Sequence, residues 1–248
     1  MRYFIGNWKM FGVPKSIGIL KKINNFVNKD KNSRKYRVII TPPYTLIETY
    51  SKYFKNKKIN IGSQNCYHKD YFSSNTGAVS PYMIKNIGAT YVIIGHSDNR
   101  EEGDNDKNLK DKVIFALRNN LKVIYCIGEN ALQKNKKQTF QVLKNQITKV
   151  LEKNFNKNNI IVAYEPIWSI GTGKIPNGLD LLNTIKFIKK VLNHVFKEKK
   201  SPCVLYGGSV DGSNVAKFKN FKEIDGFLIG GASKSSKNFI DIIKNYYR

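Results

Sequence analysis

Arginine is scarce in this chain. Of its 43 basic residues only Arg2, Arg34, Arg37, Arg100, Arg118 and Arg248 carry the guanidinium fork that dominates base and phosphate readout. Acids are also few, so lysine supplies most of the formal charge of +25. Lys, Asn, Ile, Tyr and Phe, all specified by A- and T-rich codons, are abundant together. Compositional drift therefore accounts for the charge, and at most weak nonspecific polyanion binding is expected. Cysteine is limited to Cys66, Cys126 and Cys203, an odd and widely spaced set that argues against a disulfide framework or a zinc site. No apolar run approaches the roughly 20 residues of a membrane span. The opening MRYFIGNWKMFG lacks the long apolar stretch and small-residue cleavage site of a signal peptide, so a cytoplasmic protein without a membrane partner is expected.

What is present is a set of short, β-branched-rich apolar runs separated by amphipathic stretches. Strands are predicted at Tyr3–Trp8, Val38–Thr41, Ile59–Ser63, Tyr91–Ile94, Leu121–Cys126, Ile160–Tyr164, Cys203–Tyr206 and Gly226–Ile229. Continuous apolar runs suit parallel strands covered on both faces, whereas a half-exposed sheet alternates. Helical spacing recurs between them, as in Ile17, Leu20, Ile23 and Val27, in Leu143, Ile147 and Val150, and in Leu182, Ile185, Ile188 and Leu192. Ser80-Pro81 reads as an N-cap with proline at the first helical position, and Gly88 closes that helix. With hydrophobic residues at 41%, the 248 residues can bury one large core, and a β-sandwich also fits that length. Eight strand–helix repeats in that length match a single (β/α)8 barrel over 1–248. A doubly wound open sheet fits less well, because the turn after the first strand is Asn7-Trp8-Lys9 instead of a glycine-rich phosphate loop.

Barrels of this kind assemble active sites from the loops that follow the strands. Asn7 and Lys9 end the first strand, His96 follows the fourth, Glu165 the sixth, Ser209 the seventh and Gly230-Gly231 the eighth. Gly207-Gly208-Ser209 and Gly230-Gly231-Ala232-Ser233 read as the two halves of a phosphate site, since glycine lets backbone N–H groups approach an anion. His96 sits where a helix begins, capped by Ser97 or Asp98, a position that disfavours imidazolium. Glu165 ends an apolar run and is followed by a segment with Gly171 and Gly173, the layout of a base beneath a movable loop.

Six motifs then make a resemblance explicit: GNWKM (Gly6–Met10), IGHS (Ile94–Ser97), CIGE (Cys126–Glu129), AYEPIWSIGTGK (Ala163–Lys174), YGGSV (Tyr206–Val210) and IGGAS (Ile229–Ser233). In order and over essentially the whole chain, they resemble triosephosphate isomerase. The resemblance implies a cofactor-free isomerase of triose phosphates, with Glu165 as the base and His96 as the electrophile. Asn7 and Lys9 would position substrate. Gly171, Ser209, Gly230 and Gly231 would hold its phosphate, under a lid from Pro166 to about Pro176. It also implies a homodimer in which the loop from Gln64 to Thr76 enters the neighbouring subunit. Sugar-phosphate epimerases and tryptophan-pathway isomerases share the late phosphate site but lack the pairing of IGHS with AYEPIWSIGTGK. A lysine-rich binding protein built on an inactive barrel would be expected to lose catalytic side chains first, and every one is present.

The chain departs from the family pattern near the implied interface. Ala78 stands in place of an acid and Asp98-Asn99-Arg100 in place of Glu-Arg-Arg, which removes both ends of an implied ion pair together. Losing both leaves no unpaired buried charge and costs less than losing one. Asn105 stands where the family has Glu, and Asp98 is one methylene short of the usual Glu beside Lys9 and His96. These departures imply a working enzyme of lower stability or rate.

Overall fold

Strands that are apolar on both faces need cover on both faces, and the architecture supplies it. In the computed structural model, which describes residues 1–173 and 175–248, eight strands among the described residues close a parallel barrel in sequence order. They are β1 (Arg2–Asn7), β2 (Tyr36–Thr41), β3 (Ile59–Ser63), β4 (Tyr91–Ile94), β5 (Lys122–Ile127), β6 (Ile160–Tyr164), β7 (Cys203–Tyr206) and β8 (Gly226–Ile229). The helices around them are α1 (Ile17–Lys29), α2 (Tyr44–Phe54), α3 (Pro81–Asn86), α4 (Ser97–Glu101), α5 (Asp106–Arg118), α6 (Ala131–Asn135), α7 (Thr139–Val150), α8 (Gly178–Phe196) and α9 (Ser236–Tyr247). Lys174, which ends the AYEPIWSIGTGK stretch and falls within the expected lid, lies outside the described residues.

The bounds expected for β3, β4, β6, β7 and β8 coincide with those observed, while β1, β2 and β5 start or stop a residue or two away. Pairing explains the shifts. Arg2 and Tyr3 align with Tyr36 and Arg37, so backbone ladders carry β1 and β2 beyond their apolar runs. Within each strand, alternate side chains face opposite cores. Ile5, Ile39, Tyr91, Ile93, Ile124 and Leu205 fill the barrel interior. Their neighbours Phe4, Val38, Val92, Val123 and Val204 pack outward against the helices.

The barrel closes where β1 meets β8, with Tyr3 opposite Gly226. Only glycine fits there: φ is +152° and a Cβ would run into the Tyr3 backbone. Phe4 covers the seam from outside, its ring centroid 5.8 Å from Phe227 and 5.9 Å from Tyr246 of α9. Burying a ring of this kind stabilises the fold by roughly 2–3 kcal/mol. At α3 the expected signals hold, since Ser80 Oγ accepts the Met83 N–H and the chain leaves through Gly88 at φ +97°. Among the described residues no helix is long and apolar enough to cross a membrane.

Candidate active site

Glu165 is the first residue beyond β6, and its N–H donates to Ile127 O on β5 at 2.7 Å. The ladder hydrogen bond thus extends one residue past the strand and fixes where the carboxylate emerges. His96 follows β4 across Gly95, and its Nε2 lies 3.4 Å from Glu165 Oε1. Both residues are buried, at 5% and 4% exposure. The expectation that Ser97 or Asp98 caps α4 is corrected here, because the cap is His96 itself. Its Nδ1 accepts the Asp98 N–H at 3.1 Å. An accepting Nδ1 carries no proton, so the neutral ring bears its hydrogen on Nε2, the nitrogen facing Glu165.

The surroundings of this pair are tightly fitted. Arg100 locks the β4 loop to β5, donating from Nε to Gly95 O at 2.8 Å and from a terminal nitrogen to Cys126 O at 3.0 Å. Cys126 sits inside the barrel with its thiol hydrogen-bonded to Glu165. Burial first, then the carboxylate's charge, pushes that thiol well above its ordinary pKa. Gly207 is demanded by close approach, since a Cβ there would come within 2.7 Å of Glu165 Cγ.

Across the mouth, Lys9 adopts the left-handed conformation at φ +53°, which costs a non-glycine residue about 1 kcal/mol or more. Local hydrogen bonds hold it there. Asn7 Oδ1 accepts the Lys9 N–H at 3.0 Å, and Gln64 Nε2 donates to Lys9 O at 2.9 Å and to Thr41 O at 2.8 Å. The shorter acid Asp98 still reaches its partner, with Oδ2 3.2 Å from Lys9 Nζ. Burial works to raise the Asp98 carboxyl, but the hydrogen bond and charge of Lys9, with the Ser97 hydroxyl, outweigh it and hold its pKa below the ordinary value. A depressed carboxylate adds stability that is present above its unfolded value and is lost as pH falls through its folded value. Stability to urea should therefore fall less steeply for Asp98→Asn than for the parent between about pH 5 and pH 3. The pair is half exposed, so solvent keeps the difference small. Superimposable acid limbs would show that the contact adds no stability.

The opposite wall is built from the β6, β7 and β8 loops. Ser209 Oγ donates to Ser169 O at 2.8 Å and accepts the Gly173 N–H at 3.2 Å, tying the segment after Glu165 to the β7 loop. The foot of that segment is anchored too: Trp168 Nε1 donates to Glu129 Oε1 at 2.9 Å, and Lys134 Nζ stands 3.1 Å above the indole. Beyond β8 a helical turn begins at Gly230, with open space where Cβ atoms of Gly230 and Gly231 would point. Asn7, Lys9, His96, Glu165, Gly171, Ser209, Gly230 and Gly231 all line a single cavity of about 430 Å³. The residues singled out in the sequence thus meet in one place.

Comparison with known proteins bears on the same stretch of chain. The family model described as triosephosphate isomerase matches residues 2–246. The chain belongs to the triosephosphate isomerase family. It is 37% identical over 247 residues to the triosephosphate isomerase of Saccharomyces cerevisiae, covering 98% of each chain. To that of Thermoanaerobacter pseudethanolicus it is 34% identical over 246 residues, covering 97% of each. The crystal structure of triosephosphate isomerase from Bartonella henselae superimposes with a TM-score of 0.90 at 31% identity, covering 100% of this chain and 99% of that one.

Within this triosephosphate isomerase barrel, several supporting groups carry little signal in the sequence. Gln64 holds a strand-end position but reads there only as the start of a loop, and Cys126 reads only as part of a motif. Asn105, which stands in place of an acid, accepts the Asn108 N–H and caps α5. The preceding Asp104 is the acid in use, gripping Lys112 at 2.6 and 2.7 Å. Asn99 turns its amide to Glu102 at 3.3 Å.

Proposed function

We propose that this chain interconverts dihydroxyacetone phosphate and D-glyceraldehyde 3-phosphate, a step of glycolysis and gluconeogenesis, with residues 1–248 acting as one catalytic unit. The observation that carries the residue roles is the buried approach of His96 Nε2 to Glu165 Oε1 at 3.4 Å inside the cavity that Lys9, Ser209 and Gly230 also line. Glu165 takes a proton from C1 of the ketone and returns it to C2. His96 donates from Nε2 to the substrate oxygens as negative charge develops on the enediolate, and it moves protons between them. A ring that donates as a neutral group suits a weakly acidic enediolate, and triosephosphate isomerase is itself the standard example of that pairing. Lys9 places a cation beside that charge, and Asn7 holds the Lys9 turn. Electrons stay within the substrate, so the chemistry as written calls for no cofactor.

The phosphate is held by the main-chain N–H groups of Gly171, Ser209, Gly230 and Gly231. The Ser209 hydroxyl is committed to the lid, which leaves its amide for the anion. Closing the segment from Pro166 to Pro176 excludes water and hinders loss of phosphate from the enediolate. Turnover of glyceraldehyde 3-phosphate, followed by coupling the product ketone to a hydride-consuming reductase, tests the assignment. Negligible turnover by the folded protein overturns it.

A cytoplasmic homodimer completes the reading. Met10 is 98% exposed, and Val13, Tyr71 and Phe72 are exposed apolar side chains on the loops after β1 and β3. Large apolar side chains left exposed on loops suit a contact surface. Thr76 is exposed on the same loop as Tyr71 and Phe72. Sedimentation at micromolar concentration should give a dimer, with a monomer as the result that would show Ala78 and Asn99 to be decisive.

A further inference from the structure

A second cleft, of about 460 Å³, opens between the C-terminal half of α2, the start of β3 and the stretch from α3 to β4. It lies at the N-terminal ends of the strands, away from the catalytic mouth. Its floor is apolar, with Phe54, Ile59 and Ile61 at 3% exposure or less. Lys52, Lys55, Lys57 and Lys85 surround it, and the acid in its lining, Glu48, is paired with Lys52 at 2.5 Å. The lining therefore carries four cations against one anion. Lys57 is held in place over the Tyr53 ring, 3.9 Å from its centroid. Asn60 and Asn86 add amides to the walls.

Each property narrows the ligand. The volume falls within the range of small-molecule sites and exceeds what a lone inorganic anion needs. A floor of buried aromatic and aliphatic carbon favours a planar or apolar body, and clustered ammonium groups favour several adjacent negative charges. Amides suit the edge of a polar ring. We propose that this cleft binds an organic polyphosphate of nucleotide size, its ring on the Phe54–Ile59–Ile61 floor and its phosphates among Lys52, Lys55, Lys57 and Lys85. Such a site depends neither on the catalytic assignment nor on the general basicity of the chain.

Titration calorimetry with adenosine triphosphate, in excess dihydroxyacetone phosphate so that the site at Ser209 is filled, provides the test. Binding should be one per chain, and inorganic tripolyphosphate should bind at least about fivefold more weakly because it leaves the apolar floor uncovered. Lys55→Glu with Lys57→Glu should weaken the nucleotide roughly tenfold while isomerase activity stays at the parent level. Lys199→Glu with Lys200→Glu makes the same charge change on exposed lysines of the loop before β7 and should leave affinity unaltered. Equal weakening in both double variants, or equal affinity for tripolyphosphate, would mean that the anion answers only to overall charge and would overturn the site.

Discussion

Glu165→Gln should lower kcat by about 10³-fold while leaving KM within a few-fold of the parent. The amide matches the carboxylate in shape, so the Ile127 ladder bond, the Gly207 contact and the proximity of His96 all survive. What disappears is the ability to hold a proton taken from carbon, because an amide is not a base in this range. The proposed phosphate contacts of Gly171, Ser209, Gly230 and Gly231 do not involve the Glu165 side chain and are made equally in ground and transition states, which is why binding should persist. Steady-state kinetics in both directions reads the split. A variant retaining more than about a tenth of the parental kcat would show that another group abstracts the proton, since a general base contributes at least about 10²-fold.

Lys112→Met should lower stability by about 3–5 kcal/mol. Lys112 is 3% exposed on α5 and donates to both oxygens of Asp104, at 2.6 and 2.7 Å, and to Asn65 Oδ1 at 3.0 Å. Methionine fills the same space but leaves the Asp104 carboxylate in a poorly hydrated pocket without its cation. For a chain of this length the loss corresponds to roughly 10 °C in melting temperature. Adding Asp104→Asn should recover part of it, because the stranded charge is then gone. An unchanged melting temperature for Lys112→Met would show that water reaches the pair and screens it. The contact also matters for position: Asn65 lies just past β3, so the pair fixes the root of the loop that is proposed to enter a partner subunit.

How far the sequence reaches differs by feature. Five strands are legible to the residue because a parallel barrel strand is apolar on both faces and its run ends where cover ends. The site residues are legible because barrel chemistry gathers at strand ends, a rule that needs only the order of strands. His96 as its own helix cap is not legible, since Ser97 and Asp98 are both better cap residues by type and only the backbone angles at His96 decide against them. Gln64 stays hidden for a related reason: its value lies in reaching the carbonyls of Lys9 and Thr41, which come from two other strand ends.

The sequence by itself determined the architecture, the family and the eight residues around the catalytic cavity, because hydrophobic periodicity and short motifs are local and survive without coordinates. Tertiary structure decided which nitrogen of His96 faces Glu165, how Ser209 spends its hydroxyl, which acid meets Lys112, and that four scattered lysines surround one apolar cleft. Each of these depends on distances between residues that only the fold brings together, and such distances are set by barrel closure, where a shift of one residue in register would turn every side chain to the other face.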